Sequence, residues 1–303
     1  MRQDPFGQQG GHQQYGQAPR RRGFNIGSLR WLILLGFVAY GGCYYLSNRS
    51  VDPYTGETVL IDASIGPEQE RAMGLQAYQE ILSQERPLPR SDQTSQQIQE
   101  IARRLIAKVP EVTAEVAAGY GLPAPDHWKS FEWDVNVIPS EQANAFCLPW
   151  GKMAVYTGLI PVAQTQDAMA VVMGHEIAHA LLRHGAQRMS QQKLAQIGQM
   201  AGAASGLDPQ QQQMAMAAMG YGYLLPYARA HETQADEIGL MLAAAACYDP
   251  NQAIGLWERM SEASGGQAPP EFSSTHPNPG TRIQTLQGLM PKAMEFRQKF
   301  CRQ

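Results

Sequence analysis

The stretch Val171-Val172-Met173-Gly174-His175-Glu176-Ile177-Ala178-His179-Ala180-Leu181-Leu182 limits what this chain can fold into more than any other. Residues four apart on a helix share a face, so His175 and His179 can turn a ring nitrogen to one metal ion. Glu176 can then reach a water bound there. From Ala170 to Leu182 the flanks are apolar nearly all round, the pattern of a buried helix. Two histidines and a glutamate in such a helix need partners, because an unpaired buried polar group is costly. A metal supplies them, and the spacing points to a zinc hydrolase centre. The competing reading is a chance five-residue match on an amphipathic helix, and the all-round apolar flanks argue against it.

A catalytic zinc takes three protein ligands and keeps one position for water. The run Arg229-Ala-His-Glu-Thr-Gln-Ala-Asp-Glu-Ile-Gly-Leu240 offers the third. Glu232 and Asp236 stand one helical turn apart, so Glu232 can bind the metal while Asp236 accepts a hydrogen bond from a ligating histidine. Solvent-facing acids on an amphipathic helix are the plainer alternative. His231 and Glu237 point elsewhere on the helical wheel and are expected at the surface. Cysteines at 43, 147, 247 and 301 lack a CxxC spacing, which excludes a cysteine zinc site and a disulfide-built scaffold. Cys247 and Cys301 can pair in an oxidising compartment.

A length of 303 residues with 44% hydrophobic content supports a sizeable core. A net charge of −3, with no RNA- or DNA-binding motif, excludes nucleic acid as a partner. Residues 1–30 open on a Gln-, Gly- and Arg-rich stretch that cannot bury enough surface to fold, and read as a disordered cytoplasmic tail. Residues 31–48 are 18 uncharged residues bounded by Arg30 and Arg49. At about 1.5 Å each they span about 27 Å, enough for one transmembrane anchor. Arg20, Arg21, Arg22 and Arg30 precede it, so the positive-inside rule places a single-pass protein in the inner membrane with its remainder in the periplasm. A cleaved signal ending at Ala39-Tyr40-Gly41 and lipidation of Cys43 compete with the retained anchor. Residues 49–66 read as a turn-rich linker and 67–303 as the domain that carries the zinc site.

A helix is expected from Pro67 and another after Ser91 or Asp92, ending before Pro110. Phe131–Ile138 alternates with period two, and Asn144–Pro149 with Lys152–Leu159 follow as strands around a Pro-Trp-Gly turn. The fold class is thus α+β, mainly helical, with a small antiparallel sheet beside the metal-site helix. Asn144, Ala145 and Phe146 lie on an edge strand that can bind an extended peptide by adding it to the sheet; a purely structural hairpin is the alternative. Residues 189–226, rich in Met, Gln, Ala and Gly, read as two mobile helices around Asp208-Pro209. They could form a lid over the cleft, touch a membrane, or pack as a hairpin.

Five runs occur in order over roughly residues 60–295: Asn144-Ala-Phe146 with Pro149-x-Gly151; Thr157-Gly-Leu159; Gly174-His-Glu-Ile-Ala-His-Ala180; Glu232-Thr-Gln-Ala-Asp236; and Thr275-His-Pro277 with Arg282-Ile283. Together they resemble the membrane-associated gluzincin metallopeptidases, the family of HtpX, the CAAX prenyl endopeptidases and the mitochondrial Oma-type proteases. Within it the chain is most similar to the bacterial periplasmic BepA and LoiP branch. The resemblance implies one Zn2+ per chain on His175, His179 and Glu232, with Glu176 as general base and Asp236 in support. A developing oxyanion needs a further donor, for which His276 and Arg282 are candidates; His276 could instead occupy the open zinc position. The implied function is a membrane-tethered zinc metalloendopeptidase acting on misfolded or misassembled envelope proteins. A periplasmic chaperone or assembly factor for outer-membrane proteins is the rival. The sequence leaves the oligomeric state undetermined.

Overall fold

A helix that is apolar on every side must be covered on every side, and the rest of the chain folds to do so. The computed structural model describes residues 26–263 and 279–301. Among these, the helices are α1 (Ile26–Ser47), α2 (Pro67–Gln84), α3 (Gln93–Gly119), α4 (Ile160–Ala163), α5 (Gln166–Leu181), α6 (His184–Ser205), α7 (Pro209–Met219), α8 (Leu225–Ala245), α9 (Gln252–Ala263) and α10 (Pro279–Phe300). The strands are β1 (Arg49–Val51), β2 (Thr58–Leu60), β3 (Asp134–Ile138), β4 (Ala145–Leu148) and β5 (Lys152–Tyr156).

Every residue of α5 from Ala168 to Leu181 is buried. The helix starts where the Thr165 hydroxyl accepts a hydrogen bond from the Ala168 amide at 3.1 Å. It stops at Arg183, which takes a left-handed conformation (φ 54°) and turns the chain into α6. α8 crosses α5 closely because both helices carry glycine at the crossing. A Cβ on Gly174 would sit 2.6 Å from the Gly239 carbonyl oxygen, and one on Gly239 would sit 2.5 Å from the His175 amide nitrogen. One core joins α3, α5, α8, α9 and α10 to the inner face of the sheet, through residues such as Leu105, Met173, Ile177, Leu242, Trp257 and Phe296.

The sheet runs β3-β5-β4, with β4 antiparallel to β5 but β3 parallel to it. The all-antiparallel expectation is thus half right, because the 139–144 connection crosses over and inserts β5 between the earlier two strands. The Ser140 backbone fixes that crossing: its amide donates to the Thr157 hydroxyl (3.0 Å) and its carbonyl accepts from the same hydroxyl (2.9 Å). This leaves β4 at the sheet edge. α3 does not end before Pro110 but continues to Gly119, since Val109, Val112 and Val116 remain buried on one face. The Thr113 hydroxyl donates to the Val109 carbonyl at 2.7 Å within that turn.

Residues 49–66, expected as a linker, contain the β1–β2 hairpin, with Tyr54 and Leu60 buried. The run expected to be an anchor lies in α1, which packs along α6 through Tyr44, Leu194 and Ile197. Among the described residues no helix is long and apolar enough to cross a membrane. Tyr44 also donates hydrogen bonds to Asp62 (3.2 Å) and the Ser190 carbonyl (3.4 Å). A disulfide joins Cys247, just past α8, to Cys301, just past α10, with Cα atoms 5.0 Å apart.

Candidate active site

Because α5 and α8 touch backbone to backbone, side chains one turn from the crossing meet. The Nε2 atoms of His175 and His179 lie 3.0 Å apart. Glu232 on α8 brings Oε2 to 3.4 Å from the first and Oε1 to 3.5 Å from the second. All three residues are buried, and their donor atoms fall within 4.8 Å of one another. Zinc bonds of about 2.0–2.1 Å at tetrahedral angles separate ligand atoms by about 3.3 Å. Two imidazoles and a carboxylate at these separations therefore fit such an ion in both spacing and donor chemistry.

Asp236, one turn along α8, sets its Oδ1 3.0 Å from His175 Nδ1. It is held there by Arg282 of α10, which donates from Nη2 to Oδ1 (2.6 Å) and from Nε to Oδ2 (2.7 Å). The same guanidinium donates from Nη1 to Glu232 (2.9 Å), and its flat face covers the Trp257 ring at 3.8 Å. Burial disfavours the Asp236 charge, but Arg282 and His175 outweigh it and hold the carboxyl below its ordinary range. Burial and Arg282 push against a charge on His175, yet the hydrogen bonds to Asp236 and Glu232 prevail and raise it to about 8.

His184 and Gln234, which sequence reasoning missed, and His231, which it placed at the surface, complete the surroundings. His184 Nδ1 lies 2.8 Å from His179 Nδ1, and its Nε2 lies 3.0 Å from Gln234 Oε1. Gln234 Nε2 donates onward to Glu57 at 2.7 Å. His231 is buried, contrary to expectation. It stacks on His184 with centroids 4.1 Å apart, and its Nε2 lies 2.9 Å from Gln187 Oε1. A wheel of α8 alone cannot reveal this, because the covering side chains come from α6. Glu237 is only partly exposed and pairs with Lys292 at 2.7 Å.

Glu176 and His179 open onto a cleft of about 220 Å³ whose other wall is Asn144, Ala145, Phe146, Cys147 and Leu148. The three expected edge residues and the α5 residues thus face one groove. Burial, and then the nearby Glu176 carboxylate, push the Cys147 thiol well above its usual range, so it is no thiolate nucleophile. His276 lies outside the described residues.

A metallopeptidase is the class that this crossing of helices beside an open strand edge defines. A model of peptidase family M48 matches residues 103–290, and the chain belongs to that family and is a metalloendopeptidase. It is 34% identical over 265 residues to the mitochondrial metalloendopeptidase OMA1 of Schizosaccharomyces pombe, covering 86% of this chain and 72% of that one. The Saccharomyces cerevisiae protein of the same name is 30% identical over 288 residues, covering 89% and 76%. The beta-barrel assembly-enhancing protease of Yersinia pestis is 25% identical over 233 residues, covering 73% and 44%.

These comparisons correct the expected location. The matches at 34% and 30% identity are to mitochondrial proteins. The single-pass inner-membrane placement with a periplasmic domain is therefore not upheld.

Proposed function

We propose that the chain is a zinc endopeptidase that cuts extended segments of unfolded or misassembled proteins. The observation that carries this reading is the groove itself: the free edge of β4 runs beside Glu176 and His179. An extended segment can add to that edge through main-chain hydrogen bonds, which a folded protein has already committed elsewhere. The name of the Yersinia pestis relative, which refers to β-barrel assembly, supports substrates caught before assembly is complete.

In this reading His175, His179 and Glu232 hold the metal, and Asp236 fixes His175 through Nδ1. When bound, zinc supplies Lewis acidity, acidifying a water and polarising the scissile carbonyl. Glu176 takes a proton from the attacking water and passes it to the leaving amine. Arg282 spends its donors on Asp236 and Glu232, so it orients ligands rather than serving as an oxyanion donor.

The test is cleavage of one protein presented native or denatured to the full chain, stripped by chelator and then resupplied with zinc. The expected result is cleavage of the denatured form only, restored by zinc. Cleavage by the stripped protein contradicts the metal assignment, equal cleavage of the native form contradicts the substrate class, and binding without cleavage favours an assembly factor.

A further inference from the structure

A second cavity, of about 430 Å³, adjoins the cleft and contains none of the metal-site residues. Its apolar lining includes Val59, Ile61, Phe131, Trp150, Leu181 and Leu182. Two residues, Glu70 and Arg183, line both spaces. They are joined by an ion pair, with Arg183 Nη2 2.8 Å from the buried Glu70 carboxylate, which stands as a partition. We infer that this cavity is a substrate subsite for a bulky apolar side chain, reached along the β4 edge past the Arg183–Glu70 pair. The inference rests on the peptidase reading above and adds its specificity.

Continuity of both walls supports it. On the sheet side, Pro149 lines the cleft and the next residue, Trp150, lines the cavity. On the helix side, Glu176, His179 and Ala180 line the cleft, and Leu181 and Leu182 line the cavity. A chain laid along β4 therefore runs from the metal site into the cavity mouth without leaving either wall.

Backbone strain marks the same junction. Among the described residues, four that are not glycine have a left-handed backbone: Trp150, Gln164, Arg183 and Cys247. Two of the four, Trp150 (φ 66°) and Arg183 (φ 54°), line the junction. Bulky side chains avoid this conformation, and it persists where the surroundings enforce it, as at ligand clamps. Here it turns the Trp150 ring toward Phe131, with centroids 5.6 Å apart.

The lining also sets the ligand chemistry. Asp52, Glu70 and Asp126 stand in the wall against the one cation Arg183, already paired, so an acidic side chain is repelled. An aromatic or large aliphatic side chain loses water on entering and meets apolar walls.

The experiment uses the zinc-loaded full chain and quenched peptides identical except at one flanking position, which carries Phe, Ala or Glu in turn. At one position away from the scissile pair, Phe is expected to raise kcat/KM about tenfold over Ala, with Glu below Ala. Ser130→Trp, which fills the cavity from its rim, and Trp150→Gly, which keeps the left-handed turn while removing the ring, bring the Phe/Ala ratio close to one. Because the ratio is taken within one variant, a general loss of activity does not imitate this. Cleavage by the wild type with no such position, or an unchanged ratio in Ser130→Trp, overturns the subsite and leaves the peptidase reading standing. No cleavage of any peptide overturns both.

Discussion

Gly174 and Gly239 face each other where α5 crosses α8, and neither helix has room for a methyl group on the other's backbone. That contact is what lets the short carboxylate arms of α8 reach two histidines on α5. Gly239→Ala is therefore expected to force the helices apart, costing about 1–3 kcal/mol or more of stability and weakening metal binding. Gly288→Ala is the control, since a Cβ there meets nothing within 4 Å and the residue is exposed on α10. Removing a helical glycine at such a site is neutral or stabilising by up to about 1 kcal/mol. Urea unfolding and chelator competition on the two variants measure both effects.

His184 is expected to fix His179 as Asp236 fixes His175. If His179 gives Nε2 to the metal, its Nδ1 carries the hydrogen and donates to His184 Nδ1. His184 Nε2–H then donates to Gln234 Oε1, and each atom in the chain has one consistent role. Burial, with His231 beside it, holds His184 well below the ordinary histidine range and so keeps it neutral. His184→Ala should cost about 10–100-fold in zinc affinity by chelator competition. An affinity equal to wild type would make this hydrogen bond idle.

Asp62 ties the β1–β2 hairpin to α6. Lys193 donates to its Oδ2 at 2.5 Å, and the Asp62 amide donates to the Ser190 hydroxyl at 2.8 Å. Burial raises the carboxyl, but hydrogen bonds from Lys193 and Ser64 prevail and hold it well below the usual carboxylate range. A carboxylate depressed in the folded state stabilises fully above its unfolded value of about 4 and loses that contribution as pH falls toward the folded value. Asp62→Asn is thus expected to lower the urea midpoint at pH 7, and the gap from wild type should narrow below about pH 4. A gap that stays constant down to pH 3 would contradict the assignment.

How far this could be read from sequence follows from the range of each signal. α5 was legible because its apolar residues surround it and its polar ones are spaced for a metal. β3 was legible from alternation and β4 from the Pro-Trp-Gly turn beside it, but neither signal gives a strand's neighbours, so the parallel β3–β5 pairing was not. Pro110 is a local stop signal that the buried valines of α3 overrode. His184, His231 and Arg282 depend on where α6 and α10 dock. Arg282 lies 46 residues from Asp236, and nothing local to either residue announces the contact. For His184 the one available signal was its place directly after the turn that ends α5.

The central claim is that Glu176 moves the proton while its neighbours hold the metal, and one variant separates those tasks. Purified full chain carrying Glu176→Gln, loaded with zinc and assayed on a denatured protein, should bind one zinc per chain as wild type does. Its cleavage rate should fall by about 10²–10⁴-fold. Zinc bound normally with cleavage undiminished would contradict the account.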